Sequence, residues 1–562
     1  MINTNDTTLL TAQDYYNEQN ILKNIISKYD YYNDTRNSQR SDNRLISYAI
    51  YNADIPQIND WNCSIQLPEI YELAQTLKSH IIQNLYSHPD GMFDVSGNDF
   101  KSQKYANRQK AMLVNTFEEM KLSDEMEKIV DSVVETGEVT LFVGWETKTR
   151  KTRRALSLKE QIEMNTNQSF IVEDKVIYDN AKVKFIHYED FVFDRTNVNN
   201  WDSCPKIYRT YQTLDDIKSN RANNLLNAEK LEILKGVVAN KKGQKDSKYS
   251  IPKIEVLEYW GDIELPSGEI LKNQLISVAG RSAIIRFEDN PFVINPFIHA
   301  NIIENPATGR GISPLRVALI LNNISSTILN KQLDALALMM NPPYLAPKGC
   351  FMGKQEVKPG KIIEYDSTLM TTTPVPLSFD KAMTGWDFLN YFKTTIESAT
   401  GIFKNMAGNI SNVERSATEI NYSANGQEAR LNMILESINR KVIVPMVEKT
   451  AQLISFFKIG SESIKVNDHG RTDFVDIDDD IRNSNYTYRY GDRKATFERK
   501  SKFKEMFDIM TNFVQVEEVA NRINWLECFK FALEQYGVEN SNNFIKDTEE
   551  NNIISDLKKS FT

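Results

Sequence analysis

The chain has 562 residues, enough for roughly two to four sub-domains, and its 41% hydrophobic and 25% charged residues are typical of an ordinary folded protein. Its net charge of −9 has the wrong sign for wrapping DNA tightly, although it permits DNA to slide past without sticking. Four scattered cysteines exclude a disulfide framework, so we expect a reducing compartment. The first residues lack the basic start of a signal peptide, and no stretch approaches the length of a membrane span.

The first part of the chain favours helices separated by polar stretches. Residues 9–36 have the pattern of an amphipathic helix, and the polar sequence NDTRNSQRSDNR that follows is expected to be irregular. Apolar side chains recur at helical spacing over 67–86, and a further helical region covers about 100–136 with a break near Leu122. Gly137 ends this region, and the sequence VTLFVGW after it has the composition of a strand.

The next part of the chain, up to about residue 300, is predicted to be mostly β-structure. Aromatic and β-branched runs bounded by turn residues lie at 182–194, 204–213, 253–264, 274–280 and 282–290. A helical segment at 213–238 interrupts them, and Pro-rich sequences then lead into a long helical pattern.

That pattern has a start signal and a stop signal. Ser313 is a favourable N-cap, and Pro314 suits the first helical turn, where its missing N–H costs nothing. The Asn-Pro-Pro sequence after Met340 cannot continue a helix. The sequence therefore predicts a helix of 28 residues, Ser313 to Met340, about 42 Å long.

The composition of this helix is unusual both for a helix on the protein surface and for a helix in the core. Lys331 and Asp334 are the only charged residues between Val317 and Met340. We interpret the helix as one that packs against copies of itself, and a long helix inside a large α domain is the alternative that the pattern leaves open. The uncharged residues of the helix form two sets. One set is apolar (Leu315, Leu319, Ile320, Leu329, Leu333, Leu336), and the other is small or uncharged polar (Asn322, Asn323, Ser325, Ser326, Thr327, Asn330).

The remainder of the chain is predicted to alternate a small insertion with helices. A segment rich in Pro, Gly and Thr occupies about 343–377, and a helix follows at Trp386–Ala399 with a loop after it. A capping-box sequence, SATE, opens a second very long helix, which Pro445 should kink. The C-terminal part, 460–562, favours an acidic β-like stretch, two helices and a polar tail.

Familiar catalytic and metal-binding motifs are missing from the sequence. GRGISP has Pro314 at the third glycine position of a dinucleotide fingerprint, and no P-loop or G-x-S-x-G motif occurs. DIDDDI resembles the start of an EF-hand, but Ile481 and Thr487 replace the required Gly and Glu. The five histidines never pair at metal-ligand spacing. We therefore expect no enzyme activity, no metal site and no cofactor.

Over roughly 60–540, the order of these segments resembles a portal protein, the head-to-tail connector of a tailed bacteriophage, of the podovirus-like type. VKFIHYEDFVFDRT is similar to a segment of the portal wing domain, and RFEDNPFVINPF followed by NPATGRGISPLRVALILNNISSTILNKQ is similar to the passage from the wing into the first stem helix. ATGIFKNMAGNISNVERSATEI resembles the turn from the second stem helix through the tunnel loop into the long wing helix, whose internal proline is Pro445 here.

This resemblance implies an α+β, mainly α fold with the wing, stem, clip and crown regions of a phage portal. The expected regions are an N-terminal α+β wing (1–308), a first stem helix (309–342), a clip (343–385), a second stem helix (386–400), a tunnel loop (401–415), a long kinked wing helix (416–460) and a C-terminal wing and crown region (461–562).

The resemblance also implies a function and a set of partners. Portals form a ring, usually of twelve subunits, at one capsid vertex of the virion, assembled in the host cytoplasm, and double-stranded DNA passes through the ring during packaging and ejection. The implied partners are the major capsid protein, the terminase and head–tail adaptor or tail proteins, with no membrane. The residues implied to face DNA in the tunnel loop are Lys404, Asn409, Asn412 and Arg415, and those implied to pack stem helices of neighbouring subunits are Asn322, Ser325, Ser326 and Leu329.

Two other interpretations remain open at this point. The first is another virion structural or scaffold-type oligomeric protein without a DNA channel. A small oligomer that lacks an axial hole would favour this interpretation. The second is a nucleic-acid enzyme with an unrecognised metal site, which nuclease activity lost on mutation of a carboxylate cluster would support.

Overall fold

In the computed structural model, the described residues are 12–51, 63–85, 89–156, 170–195, 201–242, 252–340, 344–345, 375–376, 386–402, 430–468 and 471–491. The helices are α1 (Ala12–Asp34), α2 (Asn37–Tyr51), α3 (Glu69–Leu85), α4 (Phe100–Glu119), α5 (Leu122–Thr136), α6 (Leu214–Ser219), α7 (Ala228–Lys242), α8 (Arg316–Met340), α9 (Trp386–Thr400), α10 (Val444–Phe457) and α11 (Asp479–Arg482). The strands are β1 (Phe93–Gly97), β2 (Glu138–Ala155), β3 (Phe170–Ile186), β4 (Phe191–Phe193), β5 (Lys206–Gln212), β6 (Ile254–Glu264), β7 (Ile270–Ala279), β8 (Ala283–Asp289), β9 (Phe297–Asn301), β10 (Glu304–Asn305), β11 (Arg310–Gly311), β12 (Tyr344–Leu345), β13 (Val375–Pro376), β14 (Glu462–Asp468), β15 (Arg471–Ile477) and β16 (Tyr486–Tyr490).

Two larger antiparallel sheets organise the N-terminal part of the chain. One has the strand order β4-β5-β6-β7-β8, and the other has the order β3-β2-β9. Helix α1 covers the first sheet, where Ile25 and Tyr29 are buried against sheet residues such as Tyr259. This apolar contact explains why the amphipathic pattern at the start of the chain folds as a helix.

The largest hydrophobic core lies between helices α2 to α5, the β3-β2-β9 sheet and the C-terminal elements. Its members include residues of α8, α9 and α10, so the long helices of the second half are anchored in the same core as the N-terminal helices. β1 and β16 also form an antiparallel pair although they are far apart in sequence. The N-terminal and C-terminal halves of the chain are thus joined by contacts between described elements of each.

Gly137 ends α5, as predicted, and the structure shows why this position needs glycine. Its φ of +71° lies in the left-handed region, and its N–H donates to the Val133 carbonyl. A Cβ built at this position would lie 2.0 Å from the carbonyl oxygen of Ile312. Any other residue would therefore separate the end of α5 from the segment that leads into α8.

The prediction that residues 33–44 are irregular is wrong, because most of them belong to α2. Arg36, Arg40 and Asn43 are buried although their sequence is polar. Arg36 forms an ion pair with buried Glu138 and donates a hydrogen bond to the Phe191 carbonyl. These partners come from distant parts of the chain, so a local hydrophobic pattern could not reveal the helix.

Two other predicted elements differ in extent. The helix predicted at 213–238 is divided into α6 and α7, and Thr213 closes a capping box with Asp216 at the start of α6. The strand predicted at 139–145 extends as β2 to Ala155 and pairs with β3 as a long hairpin. The outer half of this hairpin is exposed on both faces, so it lacks the alternation of a half-buried strand.

Pro445 lies in the first turn of α10, directly after a π-helical turn at Asn439–Ile443, and residues 430–438 are α-helical before it. The Val444 N–H donates to the Asn439 carbonyl, five residues earlier. A wider turn of this kind accommodates a proline that cannot donate to the preceding turn. This π-turn is the form that the predicted distortion takes in the described part of the helix.

Candidate subunit and DNA interface

Helix α8 is the described part of the predicted first stem helix, and its start is set by Ser313. The Ser313 Oγ accepts a hydrogen bond from the Leu315 N–H at 3.1 Å and donates to the Val134 carbonyl at 2.7 Å. The predicted cap is therefore present, although the α-helix itself begins at Arg316. The helix has 25 residues, about 37 Å at 1.5 Å per residue.

One polar face of α8 binds an extended segment of the same chain, residues 63–67. The Asn322 Nδ2 donates to the Leu67 carbonyl at 3.1 Å, and the Ser326 Oγ accepts from the Leu67 N–H at 3.1 Å. Together, the two side chains satisfy both backbone groups of Leu67, as a neighbouring strand would.

The same arrangement continues along the next two turns of α8. Asn330 bonds both backbone groups of Ile65, at 2.8 and 2.9 Å, and the Asp334 carboxylate accepts from the Cys63 N–H at 2.7 Å. Every fourth residue of a helix advances about 6.0 Å, which is close to the 6.6 Å or so covered by two residues of an extended chain. The four polar side chains therefore match the repeat of the segment that they hold.

This contact locates the four residues that the resemblance assigned to subunit packing. Asn322, Ser325 and Ser326 are buried and Leu329 is half-buried, all within one chain. Ser325 is 2% exposed, and its Oγ has no hydrogen-bond partner among the described residues. Because Asn322 and Ser326 already bind Leu67, the role of this set between subunits stays a prediction.

A different face of α8 is apolar and exposed, and the sequence analysis did not separate it from the buried positions. The exposed fractions of Val317, Ile320 and Ile324 are 54%, 59% and 42%. Their spacing of three and four residues places them on one side of the helix, away from Asn322 and Ser325. Exposed aliphatic side chains on one side of a helix form a candidate surface for contact with another molecule.

The second predicted stem helix, 386–400, is present as α9 and packs against α8. It also has exposed apolar residues, since Phe388 is 57% exposed and Tyr391 is 66% exposed. These two aromatic residues are three positions apart and therefore lie on one side of α9. The two neighbouring helices thus each present an apolar surface.

The predicted tunnel-loop residues Lys404, Asn409, Asn412 and Arg415 lie outside the described residues, as do most residues of the predicted clip. The ends of the undescribed segment 403–429 lie next to each other. The Arg430 Nη1 donates to the Ser398 carbonyl at 2.9 Å, and a Cβ on Gly401 would be 3.0 Å from the Arg430 side chain. The chain therefore leaves α9 and returns to the next described helix at the same place.

The described ranges contain no group of three or more His, Cys, Asp and Glu residues placed to hold a metal ion. The acidic sequence DIDDDI has a structural role there, because the Asp478 carboxylate caps α11 by accepting from the Ile481 N–H. None of the described helices is both long and apolar enough to cross a membrane.

The comparison with protein families places the chain among the portal proteins of bacteriophages, since the match extends over residues 6–556. The particular family is described as Phage SU10 portal protein, and the chain belongs to it. No curated protein matches the chain significantly. The prediction of a phage portal protein is confirmed, and with it the role of a portal ring in DNA packaging.

Membership of this family identifies the chain as a structural protein of the virion located at a capsid vertex, with the capsid, DNA and the terminase as the partners of the ring. Nothing favours the alternative of a virion protein without a channel.

Proposed function

We propose that twelve copies of the chain form the portal ring and that α8 is the first stem helix, which contacts the next subunit through Val317, Ile320 and Ile324. The observation that carries this proposal is the exposure of these aliphatic residues on a helix whose polar face is already occupied within the chain. Buried in a subunit contact, they would contribute favourable apolar contact area instead of remaining in water.

A closed ring needs two different surfaces on each subunit, because every copy contacts one neighbour with one side and the other neighbour with the opposite side. The aliphatic face of α8 supplies one surface. The aromatic side chains of Phe388 and Tyr391 on α9 supply a second that is apolar and equally exposed. We propose that the α8 face of one subunit packs against the α9 face of the next.

The tunnel loop, 401–415, would face DNA on the inside of this ring. Lys404 and Arg415 would be its cations, and Asn409 and Asn412 would offer uncharged hydrogen-bonding groups. A channel with few cations suits translocation, because affinity for DNA increases with each phosphate neutralised. Arg430 lies next to Gly401 and Ser398, so the segment between them leaves and rejoins the described chain at one place, which supports a projecting loop.

The remaining regions complete the proposed portal. The clip, 343–385, would contact the terminase during packaging and head–tail adaptor or tail proteins afterwards, and the crown, within 461–562, would lie inside the capsid. The rings would assemble in the host cytoplasm, where the major capsid protein surrounds them. We propose no catalytic role and no cofactor for the chain.

Electron microscopy of the purified full chain, with its solution mass measured alongside, tests this proposal. We expect rings with a central hole and a mass of about 776 kDa, which is twelve times 64.7 kDa. If the isolated chain is a monomer, the measurement is repeated with capsid and scaffold proteins present, where rings are expected. A stable dimer or trimer without a hole in both conditions would contradict the proposal.

A further inference from the structure

A cavity of about 520 Å³ lies between α2, the β10–β11 hairpin and the segment that leads into α8. This volume is far larger than the 30 Å³ or so that one water molecule occupies. Ten of its thirteen lining residues have polar or charged side chains, among them Gln39, Asp42, Asn43, Arg195, Arg310 and Arg316. None of these residues belongs to the proposed subunit or DNA contacts.

The charges around the cavity do not balance. Arg195, Arg310 and Arg316 line it, whereas Asp42 is its one lining carboxylate and is paired with Arg316 at 2.8 Å. Arg195 donates to the Thr308 and Gly309 carbonyls, and Arg310 donates to the Thr35 carbonyl. These partners are neutral, so the two guanidinium charges have no anionic partner in the cavity lining.

The groups behind the lining add to the excess of positive charge. Arg36 is neutralised by Glu138, whereas Arg40, which lies near Glu189, donates to a side-chain amide oxygen and a backbone carbonyl among the described residues. Burial, together with the nearby Arg195 and Arg36, lowers the pKa of Arg310 to about 10. Glu304 lines the adjoining cavity together with Arg195 and Lys441, and Glu304 and Glu138 offset part of the Arg195 charge.

One atom in each of two lining amides has no hydrogen-bond partner among the described residues, and these two atoms restrict the chemistry of a ligand. Asn43 is 3% exposed, and its Nδ2 donor has no hydrogen-bond partner among the described residues. The Gln39 Oε1 acceptor is likewise unpartnered there, while its Nε2 donates to the Gly311 carbonyl at 3.2 Å and so fixes the orientation of the amide. A ligand that satisfies both offers a hydrogen-bond acceptor to Asn43 and a donor to Gln39, and the neighbouring Arg195 and Arg310 favour an anion.

We propose that this cavity binds one inorganic phosphate ion. Its oxygens would accept from the Arg195 and Arg310 guanidinium groups and from Asn43, and its O–H would donate to the Gln39 Oε1. Phosphate keeps at least one proton at neutral pH, whereas sulfate has none to donate. The bound ion would join α2 and the β10–β11 hairpin to the start of α8.

Equilibrium dialysis of the full chain against radiolabelled inorganic phosphate, in chloride buffer of constant ionic strength, tests the site. We expect one phosphate per chain, at least tenfold weaker competition by sulfate than by unlabelled phosphate, and at least a tenfold loss of affinity in Arg310→Gln and Asn43→Leu. The matched control is Arg281→Gln, because Arg281 is paired with Asp30 and Glu255 away from the cavity and should leave binding unchanged.

Arg316→Gln is a second variant for the case that Arg310→Gln does not fold, since Arg316 is exposed, and it should also weaken binding. The inference is overturned if the wild-type chain binds no phosphate, or if the variants bind it as the wild type does. Binding of a short DNA duplex that depends on Arg310, without binding of free phosphate, would also overturn it. Because binding is counted per chain, each result is independent of whether rings form.

Discussion

Replacing Ile320 by arginine is the sharpest test of the proposed contact between stem helices. The side chain is 59% exposed in one chain, and burying a whole isoleucine contributes about 1.5–3 kcal/mol. The apolar part lost at each contact is therefore about 1–2 kcal/mol. An unpaired guanidinium in an apolar contact adds a desolvation cost, and a ring repeats both losses at every subunit boundary.

The assay is the concentration dependence of ring formation, measured by light scattering or single-particle mass measurement. A loss of 1.4 kcal/mol at one contact is a tenfold change in its association constant, so we expect the Ile320→Arg chain to remain unassembled where the wild type forms rings. Thermal unfolding of the monomer should change little, because the substitution is made on an exposed helix face.

The matched control is Ile270→Arg, since Ile270 is also an isoleucine with an exposed fraction of 59% but lies on β7. This control should assemble like the wild type. Normal rings from the Ile320→Arg chain would refute the assignment of this face to the subunit contact. Equal loss of assembly in both variants would show that any added charge has this effect.

Three further predictions concern other parts of the chain. Asn322→Leu should lower the free energy of unfolding by about 0.5–1.5 kcal/mol, because it removes the hydrogen bond to the half-buried Leu67 carbonyl. Rings should still form if this contact is only internal. A urea titration with mass measurement checks both, and unchanged stability would contradict the role of the contact. Burial lowers the pKa of His299 to about 4 from the usual 6.5, so the unfolded chain binds the extra proton between these values. The free energy of unfolding should therefore fall by at most about 3 kcal/mol as the pH decreases from 6.5 to 4. The His299→Gln chain should lose this part of the pH dependence, and an unchanged dependence would show that His299 is not its source. Finally, Lys404→Gln with Arg415→Gln should leave rings intact while reducing DNA packaging or retention in an assay with terminase; normal packaging would place the DNA-facing residues elsewhere.

Local signals in the sequence were sufficient for several features. The Ser313 cap, the end of α5 at Gly137 and the helix at 386–400 depend on the conformational preferences of a few adjacent residues. The effect of Pro445 also follows from its missing N–H, although the sequence predicted a kink and the described helix has a π-turn. The family was recognisable because the order of segments is a property of the sequence itself.

Other features depend on partners that are distant in the sequence. Helix α2 was missed because buried Arg36, directly before it, and buried Arg40, within it, have partners at Glu138 and at the Glu189 carbonyl, about a hundred residues or more away. The contact of Asn322 and Ser326 with Leu67 could not be predicted, because nothing near them in the sequence indicates it.

The sequence by itself determined that the chain is a phage portal protein and where helix α8 lies. The tertiary structure decided which side of that helix is free. Asn322 is buried and Ile320 is exposed, the reverse of what polarity suggests. The physical reason is that side-chain groups of α8 satisfy the backbone hydrogen bonds of residues 63–67, which covers the polar side of the helix and leaves an aliphatic side without a partner in the described chain.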